Sequence, residues 1–125
     1  MYKYRRAWLL PVSMDQMLMQ SEEPQFLYLT TTGWKTGNPH EIEIWYVAYN
    51  GAYYLVSERE RGAHWVQNVE HNPAVAFRVG DQSFHGKARL IERQAEPELA
   101  RQVAALMDAK YEWSDGLIVE LKPSN

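Results

Sequence analysis

The fold is decided by EIEIWYVAYNGAYYLVS, Glu41 to Ser57. Glu41 to Tyr49 alternates: Ile42, Ile44 and Tyr46 turn one way, while Glu41, Glu43, Trp45 and Val47 turn the other. A period of two marks a strand with one face toward a core. Asn50-Gly51 follows, and this pair favours the tight hairpin turn whose two central residues both need positive φ. Ala52 to Ser57 then returns as the partner strand. Upstream, Gln25 to Thr31 is rich in strand formers. Downstream, Ala74 to Val79 and Ser83 to Glu92 make a second hairpin around Gly80-Asp81, and Leu117 to Leu121 is a last strand. Three helices interrupt this series. The first starts near Met14 behind a Ser13 cap and ends at Glu22-Glu23-Pro24. The second runs from Gly62 to Asn72 and stops at Asn72-Pro73. The third, Glu96 to Tyr111, has Pro97 in its first turn and an apolar stripe of Leu99, Val103, Leu106 and Met107. Six strands joined mainly by hairpins bury their edges best by curling into a small antiparallel barrel. No βαβ unit carries the glycine turn of a dinucleotide-binding fold.

Bulk properties narrow the function. A chain of 125 residues without repeat or linker suits one domain, residues 1–125, with an N-terminal helical arm over 1–24 and a barrel with helices over 25–122. The net charge of -3 argues against a nucleic-acid partner. There is no cysteine, so neither a disulfide framework nor a thiolate metal site can form. The apolar run Ala7 to Leu10 is short and ends at Pro11, and no segment has the length of a membrane span; a cytoplasmic location is expected. Five Trp and eight Tyr are an excess of flat rings that suits a cleft for a flat ligand as well as a core.

Three stretches could carry chemistry. In TTTGWKTGNPH, Thr30 to His40, the turn is longer than a plain hairpin requires. Successive N–H groups of a glycine-rich turn form an anion nest, and Lys35 and the Thr36 hydroxyl suit a phosphate; taken alone, the stretch also suits a solvated turn. In SERERGAHWVQN, Ser57 to Asn68, a strand end, Arg59, Arg61 and a helix start near Gly62 could clamp an anion, or form a solvated charge run. Tyr111-Glu112-Trp113 could wall a cleft. His64 and His71 lie two helical turns apart, roughly 10 Å, too far to share one metal ion. No metal site is expected, and no catalytic residue can be named.

LTTTGWKTGNPHEIEIWYV, YYLVSE and HWVQNVEHNPAVAFRVG together resemble the deazaflavin-dependent nitroreductase family, from about Leu27 to Leu121. That family belongs to the flavin-binding split barrels that include pyridoxamine-phosphate oxidases. The resemblance implies a six-stranded antiparallel split β-barrel, usually a homodimer, with a cofactor groove. It implies an oxidoreductase that passes hydride from a reduced deazaflavin or FMN to a quinone, nitroaromatic or activated enone. The alternative is a non-catalytic barrel that binds or senses a flavin or haem. Carried over by position, Lys35 and Thr36 meet the cofactor's phosphate-bearing tail. Ser57, with the turn through Arg59, Arg61 and Gly62, meets its ring. Trp65 and Asn68 lie on the helix beside it, Trp45 lines the site, and Tyr111 and Trp113 face substrate. The chain departs from the family where Trp34 and His40 stand at positions that often hold Arg, and where Glu58 follows the serine in place of a basic residue. His40 remains a cofactor-side position, and FMN, with one phosphate and no polyglutamate, becomes a competitor for the groove.

Overall fold

The computed structural model describes residues 24–124. The N-terminal helical arm expected from the sequence falls on residues outside those described. The strands are β1 (Phe26–Thr32), β2 (Pro39–Trp45), β3 (Val47–Tyr49), β4 (Ala52–Ser57), β5 (Ala74–Val79), β6 (Gln82–Ile91) and β7 (Leu117–Pro123). Two α-helices, α1 (His64–His71) and α2 (Pro97–Tyr111), and a short 3-10 turn (Glu60–Gly62) complete the described elements. All strand pairs are antiparallel and form one sheet in the order β2-β1-β5-β6-β7-β4-β3. The sheet curls into a split barrel of the expected class.

The strand count is seven where six were expected, and the reason lies at Tyr46. The stretch expected as one strand, Glu41 to Tyr49, breaks there. β2 pairs with β1 at one edge of the sheet, and β3 pairs with β4 at the other. One bent segment therefore serves both edges and brings them around toward each other. Alternation along the sequence survives the bend, because the break changes pairing partner and leaves side-chain polarity intact.

A strand that leaves its ladder must satisfy its freed backbone groups elsewhere. The C-terminal end of α2 does this. The Tyr46 N–H donates to the Tyr111 hydroxyl oxygen at 3.1 Å. The Tyr111 hydroxyl reaches Gln25 O at 2.8 Å and Tyr46 O at 2.9 Å, and the Lys110 ammonium donates to Tyr46 O and to Pro24 O, each at 3.2 Å. Tyr111 thus holds the corner on which barrel curvature depends. We expect Tyr111→Phe to cost about 1–2 kcal/mol, because it strips a buried N–H of its acceptor. A thermal or urea melt checks this, and an unchanged midpoint would show that water replaces the hydroxyl.

The core has two compartments. Inside the barrel, Leu27, Leu29, Tyr46, Leu55, Val75, Phe77, Val119 and Leu121 pack with Val69 of α1, which closes one opening. Outside, Tyr54, Val56, Ile91 and Ile118 meet Ala100, Val103 and Met107 of α2. β4 is therefore buried on both faces, Leu55 inward and Tyr54 and Val56 outward. The start of α2 is anchored by Arg89, which joins Glu96 (2.6 Å) to Glu120 (3.2 Å), while the Tyr54 hydroxyl donates to Glu120 at 2.8 Å. Burial pushes the Glu120 carboxyl up, but hydrogen bonds from Arg89 and Tyr54 outweigh it and hold the group below the usual carboxylate range. A lowered folded-state value stabilises the protein above the ordinary carboxylate range, and that contribution fades as pH falls.

Candidate functional site

A groove of about 1140 Å³ runs along the free edge of β2. Its first wall is that strand, with Ile42 and Ile44 offering apolar surface beside Glu41 and Glu43. Its second wall is the turn from Ser57 to Ala63 and the start of α1. The loop Gly33–Thr36 lies at the β1 side, where β2 begins. Trp45 and Trp113 lie where β2 ends, their rings 6.2 Å apart and edge-on.

The loop is closed by its own backbone. Gly33 N–H donates to Asn38 O and Gly37 N–H donates to Gly33 O, both at 2.7 Å. Gly37 takes φ +77, a conformation that glycine adopts without strain. The Thr36 oxygen accepts from Asn38 N–H at 3.1 Å, which leaves the hydroxyl proton free to donate. Trp34, 42% exposed, stacks on His71 of α1 at 4.1 Å, and Lys35 Nζ lies 5.0 Å from its ring centre.

Asn68 ties this loop to α1. Its side-chain oxygen accepts from Trp34 N–H at 3.1 Å, and its amide nitrogen donates to the Thr31 hydroxyl at 3.0 Å. The residue is buried while still bordering the groove. Its polar atoms are thus engaged with protein groups. Ser57 is in a similar position: buried, it donates its hydroxyl to Glu60 O at 3.0 Å and shapes the turn, in which Glu60 takes φ +53.

The groove brings together Lys35, Thr36, His40, Trp45, Ser57, Arg59, Gly62, Trp65, Asn68 and Trp113. Two residues expected with them lie apart. Arg61 faces away and is held in ion pairs by Glu70 and Glu92. Tyr111 does not line the groove; its ring stacks beneath Trp45 at 4.4 Å and its hydroxyl is engaged at the Tyr46 corner. Lys35 and Arg59 have no ion-pair partner among the described residues. Sequence reading missed the apolar contribution of Phe26, Ile42 and Ile44. Their strand alternation placed Ile42 and Ile44 toward the core but could not show that the strand would end as a free edge.

A model of the F420H(2)-dependent quinone reductase family matches residues 13–115. An F420H(2)-dependent quinone reductase from Mycobacterium tuberculosis is 32% identical over 81 residues, which are 62% of this chain and 54% of that protein. The chain thus spans about half the length of the curated relatives it matches. Among solved structures, an F420-H2 dependent reductase shares 27% identity at a TM-score of 0.55, covering 78% of this chain and 94% of that one. HutZ, the haem storage protein of Vibrio cholerae, aligns with a TM-score of 0.69 over 90% of both chains, and at 21% identity this is a likeness of fold. With the family match extending across the loop, the groove strand and both described helices up to Asp115, the chain belongs to the F420H(2)-dependent quinone reductase family.

Proposed function

We propose that this chain is an oxidoreductase that binds a reduced deazaflavin in the groove and delivers hydride to a flat acceptor of quinone type. The observation that carries this reading is the groove's polarity. Two cations without an ion-pair partner among the described residues, Lys35 and Arg59, and the Thr36 hydroxyl stand along a trough that ends in the rings of Trp45 and Trp113. An anionic tail and a flat ring system need that combination. The volume lies just above the range of about 300–1,000 Å³ that ligand sites commonly span, which leaves room for a tricyclic ring with its side chain.

When bound, the reduced deazaflavin supplies the hydride. The chain's own residues bind, orient and dry the site. Lys35 and Thr36 hold the phosphate at the loop. Arg59 offers a second cation from the turn, in place of the occupied Arg61. The first-turn amides of α1 have no side-chain cap and present N–H groups near Ala63 and His64. Ile42, Ile44 and Trp65 exclude water from the ring. Trp45, braced from below by Tyr111, gives the acceptor a flat surface. A homodimer is expected from the family resemblance.

The test is a titration of purified protein with the deazaflavin coenzyme and with FMN, followed by oxidation of the bound reduced form by menadione. Tight deazaflavin binding with accelerated oxidation is expected. Failure of both ligands to bind well above micromolar concentration would overturn the reading. In the same assay Lys35→Ala should weaken deazaflavin binding about tenfold, the loss of one charge-assisted contact. Its stability should stay within about 0.5 kcal/mol of wild type, because the side chain is exposed. A marked drop in melting temperature would instead make Lys35 structural.

A further inference from the structure

We propose that Trp34 is a positioning residue for Lys35: a ring fixed by α1 that holds the lysine ammonium at the loop end of the groove before a ligand arrives. The inference rests on the reading of the groove as a cofactor site and adds a residue to it. Trp34 is a large apolar side chain, 42% exposed, in the loop between β1 and β2. Exposed as it is, it is fixed twice. Its backbone N–H donates to Asn68 Oδ1 at 3.1 Å. Its ring stacks on His71, with centroids 4.1 Å apart and planes 8° from parallel. His71 is set in turn by its own helix, since its Nδ1 lies 2.9 Å from Gln67 O. A carbonyl oxygen only accepts, so Nδ1 carries the proton and donates. Both anchors of Trp34 thus belong to α1, an element distant in sequence.

Lys35 Nζ lies 5.0 Å from the centre of this ring, and both residues line the groove. An ammonium within about 6 Å of an indole centroid is attracted by the ring's quadrupole. Lys35 is exposed and has no ion pair among the described residues, so the Trp34 ring is the restraint on its ammonium that the structure shows. A lysine side chain left to itself spreads over many rotamers and loses that freedom when it meets a phosphate. A ring that already holds the ammonium reduces the loss. At an exposed site the hold is weaker than a charge-assisted contact with phosphate, so the lysine can pass from ring to anion. Trp34→Leu keeps the hydrogen bond to Asn68, which the backbone makes, and takes the ring away from both His71 and Lys35. Trp34→Phe keeps an aromatic face for each.

The experiment measures affinity for the oxidised deazaflavin coenzyme and for the ribityl deazaflavin without the phosphate-bearing tail. Wild type, Trp34→Leu, Trp34→Phe, Lys35→Ala and the double variant carrying Trp34→Leu and Lys35→Ala are compared. Trp34→Leu should weaken coenzyme binding about fivefold, the scale of an exposed cation–π contact, and Trp34→Phe less than about twofold. In the Lys35→Ala background, Trp34→Leu should change coenzyme binding less than about twofold, because the group it positions is gone. The tail-less ligand should bind every protein alike. In the ligand-free protein, carbon relaxation at Lys35 Cε should show a more restricted side chain in wild type and Trp34→Phe than in Trp34→Leu. An equal loss of coenzyme affinity in both backgrounds, or an equal loss for the tail-less ligand, would overturn the positioning role and leave the cofactor reading standing. Lys35 Cε equally mobile in wild type and Trp34→Leu would do the same. No coenzyme binding by wild type would overturn both.

Discussion

Replacing Gly116 with alanine is expected to lower the melting temperature by roughly 10 °C, a cost of about 3 kcal/mol for a domain of this size. Two effects add at this position. Gly116 has φ +147, a backbone conformation that side-chain-bearing residues rarely adopt. A Cβ there would also stand 2.3 Å from Ser57 O and 2.9 Å from Ser57 C. Neither contact is the movable end of a side chain, so the strand must shift. The shift would be felt in the groove, because Leu117 pairs with Ser57, and Ser57 opens the turn that lines it. The variant should therefore lose deazaflavin affinity as well as stability, and calorimetric melting with a binding titration on the folded fraction measures both. A melting temperature within about 2 °C of wild type would mean that β4 and β7 separate there at little cost.

The second large effect is expected at Asn68. Asn68→Ala removes the acceptor of the Trp34 N–H and the donor to the Thr31 hydroxyl in one step. Thr31 is buried, and leaving such groups unpaired costs about 1–3 kcal/mol. The functional consequence is larger, because Asn68 is the side-chain hydrogen bond between α1 and the loop that bears Lys35 and Thr36. We expect affinity for the coenzyme to fall more than tenfold, a loss of over about 1.4 kcal/mol in binding. A direct-contact role and a pinning role separate without ligand. If Asn68 pins the loop, amide exchange at Trp34 should accelerate in the ligand-free variant. Unchanged exchange at Trp34 with weakened binding would make Asn68 a cofactor contact instead.

The two substitutions act on different parts of one groove, and this shows how the barrel builds it. Gly116 permits β7 to approach the end of β4, which sets where the Ser57 turn begins. Asn68 reaches back from α1 to the loop between β1 and β2, which sets the opposite lip. The geometry of the groove thus depends on two close approaches between segments distant in sequence.

Much of this was legible from short stretches. Alternation from Glu41 to Val47 gave the strand, and Ile42, Ile44 and Tyr46 do pack toward the barrel interior. Asn50-Gly51 gave the hairpin, and both residues have positive φ, 50° and 80°. Pro97 and the stripe of Leu99, Val103, Leu106 and Met107 gave α2, whose buried face holds Val103 and Met107, while Leu106 is exposed. The loop and the W-x-x-N helix, read together from the sequence, line one groove. These features depend on backbone preferences and side-chain period, which neighbouring residues impose on one another over a few positions.

Other assignments required the folded chain. Sequence gave Arg59 and Arg61 equal standing, but Glu70 and Glu92 come from α1 and from beyond β6 to engage Arg61 alone. Tyr111 read as a cleft residue, yet its partners are backbone atoms of residues 25 and 46. The break at Tyr46 left no mark on the alternation, because a bend between two pairing partners preserves side-chain polarity. Local order was thus determined by the sequence itself, since its causes lie within a turn or a strand. Which polar groups remain free to meet a ligand was decided by tertiary structure, since a donor or charge is spent by whichever distant partner the fold brings within about 3 Å of it.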